Sequence, residues 1–284
     1  MILAIIAGIV LLLYIGLPVG AAVVAVLPAR TGVGDLPEGF EEVALRTADG
    51  VDLKGWYRPP ENGAVILLVH GAGGSRETMR SYADMLVRHG YGVLSLDLRG
   101  HGLSQGRTNR LGWQGTLDVG AAVAFLQVRA EVQRIGGLGS SMGAEVLLGA
   151  ASTYPAIRAI AADGATRRCT AEYLALEANR PLVRNFTARV MFAAVQLFTF
   201  TQPPLPLLES MQSAQSTRFL FIAAGENALE ISFNQLFADT LGSRASLWVA
   251  PGAQHTGAFA LYPQEYEQRV IDFFQSALLD APAK

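Results

Sequence analysis

Gly139-Ser140-Ser141-Met142-Gly143 is the stretch on which the reading of this chain turns. It has the form G-x-S-x-G, a serine with a residue lacking Cβ two positions to either side. Arg134 to Leu138 (RIGGL) before it reads as a short strand, and Glu145 to Ala151 (EVLLGAA) after it as a helix. Between the two the backbone must turn sharply and with strain, and the glycines leave room for that turn. A serine so placed has its hydroxyl lifted clear of the sheet edge. The following helix then aims its unpaired N–H groups and positive dipole end at the same point.

The flanking pattern supports this reading over a plain Gly/Ser loop. Glu42 to Thr47 and Val51 to Tyr57 read as a hairpin around Asp49-Gly50, a favoured turn dipeptide. Ala64 to Val69 (AVILLV) is an unbroken apolar run, as expected of a strand buried on both faces. A helix over Thr78 to His89, a strand over Tyr91 to Leu96, a helix over Gly115 to Ala130 and a strand over Ile157 to Ala162 follow. The rhythm resumes with a strand at Arg218 to Ala224, a helix at Ile231 to Leu241, a strand at Ala245 to Ala250 and a helix at Tyr262 to Leu279. Alternation of this kind predicts a mostly parallel sheet covered on both faces.

Residues 165–216 interrupt the alternation and read as a helical insertion over the sheet. Phe186, Val190, Met191, Ala194, Val195, Leu197, Phe198 and Phe200 crowd one stretch of it, continued by Leu205, Leu207 and Leu208. The plain reading is a cap helix buried on the sheet. The alternative is a surface that lines an acyl tunnel or touches lipid.

The chain has 284 residues, half of them apolar and 16% charged. Met1 to Leu27 carries no charged side chain. As a helix it would be about 40 Å long, more than a bilayer core of about 30 Å. No Lys or Arg precedes the apolar run, which also exceeds a signal peptide's usual apolar region. Residues 1–28 are therefore expected to be a retained single-pass anchor in the cell membrane, or else an uncleaved signal. Arg30 is the only basic side chain nearby, so the side of the membrane is not indicated. Residues 29–40 read as a Gly/Pro linker, and 41–284 as one α/β domain that carries the insertion at 165–216. The net charge of −2 gives no reason to expect a nucleic-acid partner. Cys169 is the only cysteine, so no intramolecular disulfide can form.

Four motifs now stand in order: His70-Gly71-Ala72-Gly73-Gly74, Asp97 to Ser104, Gly139 to Gly143, and Pro251-Gly252-Ala253-Gln254-His255. In this order and spacing the chain, from Glu41 onward, resembles the α/β-hydrolase-fold proteins. The resemblance implies serine-nucleophile acyl chemistry, most often on a carboxylic ester, with no metal and no organic cofactor. A serine hydroxyl needs a base to take its proton. Of the histidines, His255 follows the last strand in the family's base position, and the order serine, acid, histidine is that of the family. His70 and His101 stand where the family shapes loops, and His89 lies near a helix end. The resemblance puts the oxyanion donors on the backbone N–H groups of Ala72 and Met142. Asp97 reads as structural, accepting bonds from the loop amides of Arg99 to Gly102.

The acid departs from the pattern. Family members commonly carry Gly-x-x-Asp after the strand that ends here at Ala224, but this chain has Gly225-Glu226-Asn227-Ala228-Leu229-Glu230. Glu230, at the start of the next helix, is favoured. Glu226, one residue past the glycine, is the alternative, and without either the site is a Ser-His dyad. The expected activity is hydrolysis of a small-molecule or lipid-like ester near a membrane. Acyl transfer, amide or peptide cleavage, and a non-catalytic scaffold are the competing readings. Oligomeric state is not indicated.

Overall fold

A computed structural model describes residues 1–107, 111–176 and 182–280. Residues 177–181 of the expected insertion and 281–284 of the expected domain lie outside the described residues. The chain starts with a helix from Ile2 to Val26, formed by α1 (Ile2–Leu11), a π-turn (Leu12–Gly16) and α2 (Leu17–Val26). The strands are β1 (Glu41–Arg46), β2 (Asp52–Arg58), β3 (Ala64–Val69), β4 (Gly92–Leu96), β5 (Arg134–Ser140), β6 (Ile157–Asp163), β7 (Arg218–Ala224) and β8 (Ala245–Ala250). Their order across one sheet is β1-β2-β4-β3-β5-β6-β7-β8. β1 and β2 pair antiparallel, as do β2 and β4. The pairs from β4 through β8 are all parallel. This is the mostly parallel sheet that the alternation predicts, in the α/β-hydrolase architecture that the resemblance implies.

Both faces of the sheet are covered. Along β3, Val65, Leu67 and Val69 point into one core and Ala64, Ile66 and Leu68 into the other, the two-residue alternation of a strand. The first core is closed by α4 (Gly115–Gln127), α5 (Met142–Ala150) and α9 (Ala228–Leu241) through Val119, Leu126, Val146, Leu147, Phe233 and Phe237. The second is closed by α3 (Arg80–Arg88) and α11 (Pro263–Phe274), which bring Met85, Leu86, Tyr266, Val270 and Phe274. The short α10 (Ala258–Leu261) precedes α11.

The insertion holds α6 (Thr170–Ala175), α7 (Leu182–Thr199) and α8 (Leu207–Ser213). α8 sits on α5, where the Ser210 hydroxyl bonds the Leu148 and Gly149 carbonyls. α7 differs from the plain expectation of a helix buried on the sheet. Its Phe192, Ala194 and Val195 pack instead against Trp113 and against Ala22 of α2, with Val19, Ala25 and Val26 alongside.

The expected linker is pinned to the domain. The Ala29 N–H donates to the Gly100 carbonyl at 3.0 Å, and the Gly102 N–H to the Ala29 carbonyl at 3.2 Å. Arg30 reaches the carbonyls of Gly102 and Ser104, and Thr31 that of Gly73. The Ser75 hydroxyl bonds the Gly32 carbonyl, and the Gly34 N–H bonds Glu77.

Candidate active site

Ser141 sits between β5 and α5 at φ 53° and ψ −120°, outside the regions an L-residue normally adopts. Its N–H donates to the Asp163 carbonyl at 2.7 Å, which holds the turn against the end of β6. The flanking glycines are required by close approach. A Cβ on Gly143 would collide with the Val69 and His70 carbonyl oxygens, and one on Gly139 would lie 2.5 Å from the Ala144 nitrogen. The sharp turn brings Ser141 to the C-terminal ends of the parallel strands, where open α/β sheets bind their ligands.

His255, in the loop after β8, places Nε2 2.9 Å from Ser141 Oγ. Its Nδ1 lies 2.5 Å from Glu230 Oε1. A carboxylate can only accept, so the imidazole proton is assigned to Nδ1, and Nε2 is left to accept from the serine hydroxyl. Glu230 is fully buried. It also accepts from the Ala224 N–H at 2.9 Å and from Asn227 Nδ2 at 2.6 Å. Asn227 caps α9, taking the Leu229 and Glu230 N–H groups on its Oδ1. Glu230 therefore occupies the first turn of α9, where the helix dipole favours a negative charge. The hydrogen bond that His255 donates to Glu230 raises the imidazole pKa above its ordinary 6.5, against the opposing effect of burial.

The structure does not bring Glu226 to the histidine. Its side chain is exposed, and its N–H bonds the Ala253 carbonyl at 3.0 Å. Gly71 backs onto the elbow, since a Cβ there would lie 3.3 Å from Ser141 Cβ. Ala72 follows directly, and Met142 opens α5. Among the described residues, neither the Ala72 nor the Met142 N–H has a backbone acceptor.

His70 and His101 are buried in the loops after β3 and β4. Burial, with His101 alongside, pushes the His70 pKa down to about 3. Its Nδ1 donates to the Gly71 carbonyl at 2.8 Å and its Nε2 accepts from the Leu98 N–H at 3.1 Å. The His101 ring lies 4.9 Å from it. Arg99 bonds Asp118 and Asp49 and so ties the loop to the hairpin turn. Asp97 accepts from Leu103 N–H, 2.8 Å away, and from Arg76 rather than from the amides of Arg99 to Gly102.

Two further buried carboxylates, Asp163 and Glu145, lie near Ser141, His255 and Glu230. Asp163 ends β6, bonds the Tyr266 hydroxyl at 3.1 Å, and is pushed up to about 7 by burial. Glu145, in the first turn of α5, accepts from the N–H and hydroxyl of Thr166, and burial raises it to about 7 as well. A carboxylate closing the apolar run IRAIAAD was the available signal for Asp163. A cavity of about 680 Å³ lies at the opposite ends of β5 to β8, lined by Arg134, Arg158, Arg218 and Arg244. It contains none of the elbow residues, so hydrogen-bond geometry, not volume, marks the site.

Comparison with known proteins agrees with the fold. The family described as serine aminopeptidase, S33, matches residues 60–217, a span that includes Ala72 and Ser141 but ends before Glu230 and His255. An uncharacterized protein of Mycobacterium tuberculosis is 34% identical over 133 residues, 45% of this chain and 46% of that protein. The chain thus spans about half the length of the curated relatives it matches. An esterase of Pyrococcus furiosus superposes with a TM-score of 0.73 at 25% identity, covering 89% of this chain and 98% of the esterase. An α/β hydrolase of a Penicillium species shares the fold, with a TM-score of 0.65 at 16% identity over 84% of this chain and 99% of that one. With its elbow inside the matched span, this chain belongs to the S33 serine aminopeptidase family of α/β hydrolases.

Proposed function

We propose that this hydrolase cleaves carboxylic esters through a Ser141-His255-Glu230 triad and an acyl-enzyme. The observation that carries the reading is the unbroken line from Ser141 Oγ to His255 Nε2 at 2.9 Å and from Nδ1 to Glu230 at 2.5 Å. Ser141 Oγ attacks the acyl carbon while His255 Nε2 takes its proton. The tetrahedral oxyanion is held by the N–H groups of Ala72 and Met142, donors fixed before the charge develops. Collapse breaks the ester C–O bond, and the alkoxide leaves with the proton from Nε2. Water then attacks the acyl-enzyme, gives a proton to His255, and releases the acid as Ser141 is reprotonated.

Ester rather than peptide cleavage is favoured by the likeness to the Pyrococcus furiosus esterase. An aminopeptidase must also hold a substrate ammonium. Each of the buried carboxylates at this site is already engaged, Glu145 by Thr166, Asp163 by Tyr266 and Glu230 by His255. The helix Ile2–Val26 is long and apolar enough to cross a membrane, and its packing on α7 favours lipid-like esters. Turnover of p-nitrophenyl esters of graded acyl length, set against aminoacyl p-nitroanilides, tests the reading. Ester turnover lost in Ser141→Ala is expected. Turnover of the anilides alone would replace the esterase by a peptidase.

A further inference from the structure

We infer that the outer face of α7 lies in the membrane surface beside the N-terminal helix, so that cap and helix dock on lipid together. The inference rests on the reading of the Ile2–Val26 helix as membrane-bound. α7 is apolar on two sides. On its inner side Ala188 is buried, and Phe192 and Val195 pack against Trp113 and α2. On the outer side Phe186, Leu197 and Phe198 are exposed, and Phe200 beyond its end is 87% exposed. An apolar side left uncovered on a helix is an interaction surface, and nothing in the chain covers this side among the described residues.

Phe200 adds a second observation. It adopts φ 52°, the left-handed conformation that ends many helices but costs a bulky residue energy. No burial within the chain offsets that cost. Strain of this kind points to a function outside the fold, and here it turns an aromatic ring outward next to Leu197.

Continuity with the helix identifies the occupant. Ile5, Ile6, Ile9, Leu12, Leu13 and Leu17 are all exposed. The stripe Pro18, Val19, Ala22, Ala25 and Val26 is turned from solvent, and its Val19, Ala22, Ala25 and Val26 share a cluster with α7. Wherever the helix meets lipid, α7 therefore accompanies its second half. A protein partner on α7 would leave the uncharged circumference of α1 bare, whereas a bilayer covers both. The sequence of α7 holds no acidic side chain, so no carboxylate on it opposes a lipid surface. The surface also leads to the chemistry. The Phe192 ring stacks on Trp113 at 6.4 Å, and Gly112, next to Trp113, lies against Met142.

The test uses the full chain and phosphatidylcholine vesicles, with a fluorescent nitrobenzoxadiazole label on Leu197→Cys, Phe200→Cys and, as a control, Val128→Cys at the far end of α4. Spin-labelled lipid should quench the label at 197 and 200 and leave 128 unchanged. Leu197→Ser and Phe200→Ser should each weaken vesicle affinity about tenfold. Vesicle-bound protein with unquenched labels at 197 and 200 would overturn the inference, since the helix alone would then touch lipid. So would labels shielded without lipid in a sedimenting dimer, or an intact mass showing the helix removed. Quenching is read without turnover, so its failure is distinguishable from failure of the esterase reading.

Discussion

Glu230 Oε1 and His255 Nδ1 lie 2.5 Å apart, and the carboxylate that makes this contact comes from the first turn of α9 rather than from the loop before it. The usual position of the acid is taken by Ala228, exposed at the start of that helix. Glutamate is one methylene longer than aspartate, and that length carries the carboxylate from the helix back to the imidazole. Glu230→Gln should lower kcat by about 10³–10⁴, because an amide at this place favours the wrong histidine tautomer. Glu226→Gln should change kcat little. Equal losses in the two variants would contradict the assignment.

The same contact sets a pH dependence. His255 must be neutral to take the Ser141 proton, so kcat/KM should rise with pH as the imidazolium deprotonates. The Glu230 hydrogen bond holds that pKa above 6.5, and the rising limb should lie correspondingly high. In the residual activity of Glu230→Gln the limb should move to lower pH. In His101→Ala, where the ring stays outside the proton path, it should stay in place. An unmoved limb in Glu230→Gln would separate Glu230 from the titrating group.

Asp163 predicts a stability signature. Folded, its carboxyl titrates at about 7, against an ordinary 3.8. Between these values the folded state binds the extra proton, so this group's contribution to stability falls as pH rises from about 4 to 7. Asn is uncharged throughout and can still accept from the Tyr266 hydroxyl. Between pH 4 and pH 8, Asp163→Asn should gain on the parent protein on the order of 5 °C in Tm. A difference independent of pH would show that the carboxyl is not protonated at neutrality.

The pinned segment after the N-terminal helix predicts a graded response to truncation. Removing residues 1–26 in detergent leaves the bonds from Ala29, Arg30 and Thr31 to the 98–104 and 70–75 loops intact. Removing residues 1–34 frees both loops, including the one that carries Ala72. The second truncation should lower kcat about a hundredfold relative to the first, as expected when a catalytic group is displaced by about 1 Å. Equal kcat in both would leave the segment without a part in positioning.

Much of this architecture was legible because buried parallel strands show as apolar runs, as Ala64–Val69 and Arg218–Ala224 do. The elbow was legible because steric demand leaves only glycine at 139 and 143. The apolar pattern starts α9 at Ile231, three residues past its observed start at Ala228, but Glu230 is legible at the helix start, and Asn227 with a glutamate three residues on fits that start. The pinned segment was opaque for a different reason. Gly-rich composition describes what a backbone can do, whereas Ala29 and Gly32 bond carbonyls and side chains some 40 to 70 positions away. The partner of α7 was hidden likewise, because apolar periodicity shows that a face is buried but not which helix covers it.

The central claim, a serine activated by histidine, is tested most directly by the intact mass of the protein after reaction with a fluorophosphonate. One adduct, mapped to Ser141 and formed far more slowly in His255→Ala, is the predicted result. A folded protein that takes up no fluorophosphonate, or takes it up at another residue with Ser141 unmodified, would contradict the account.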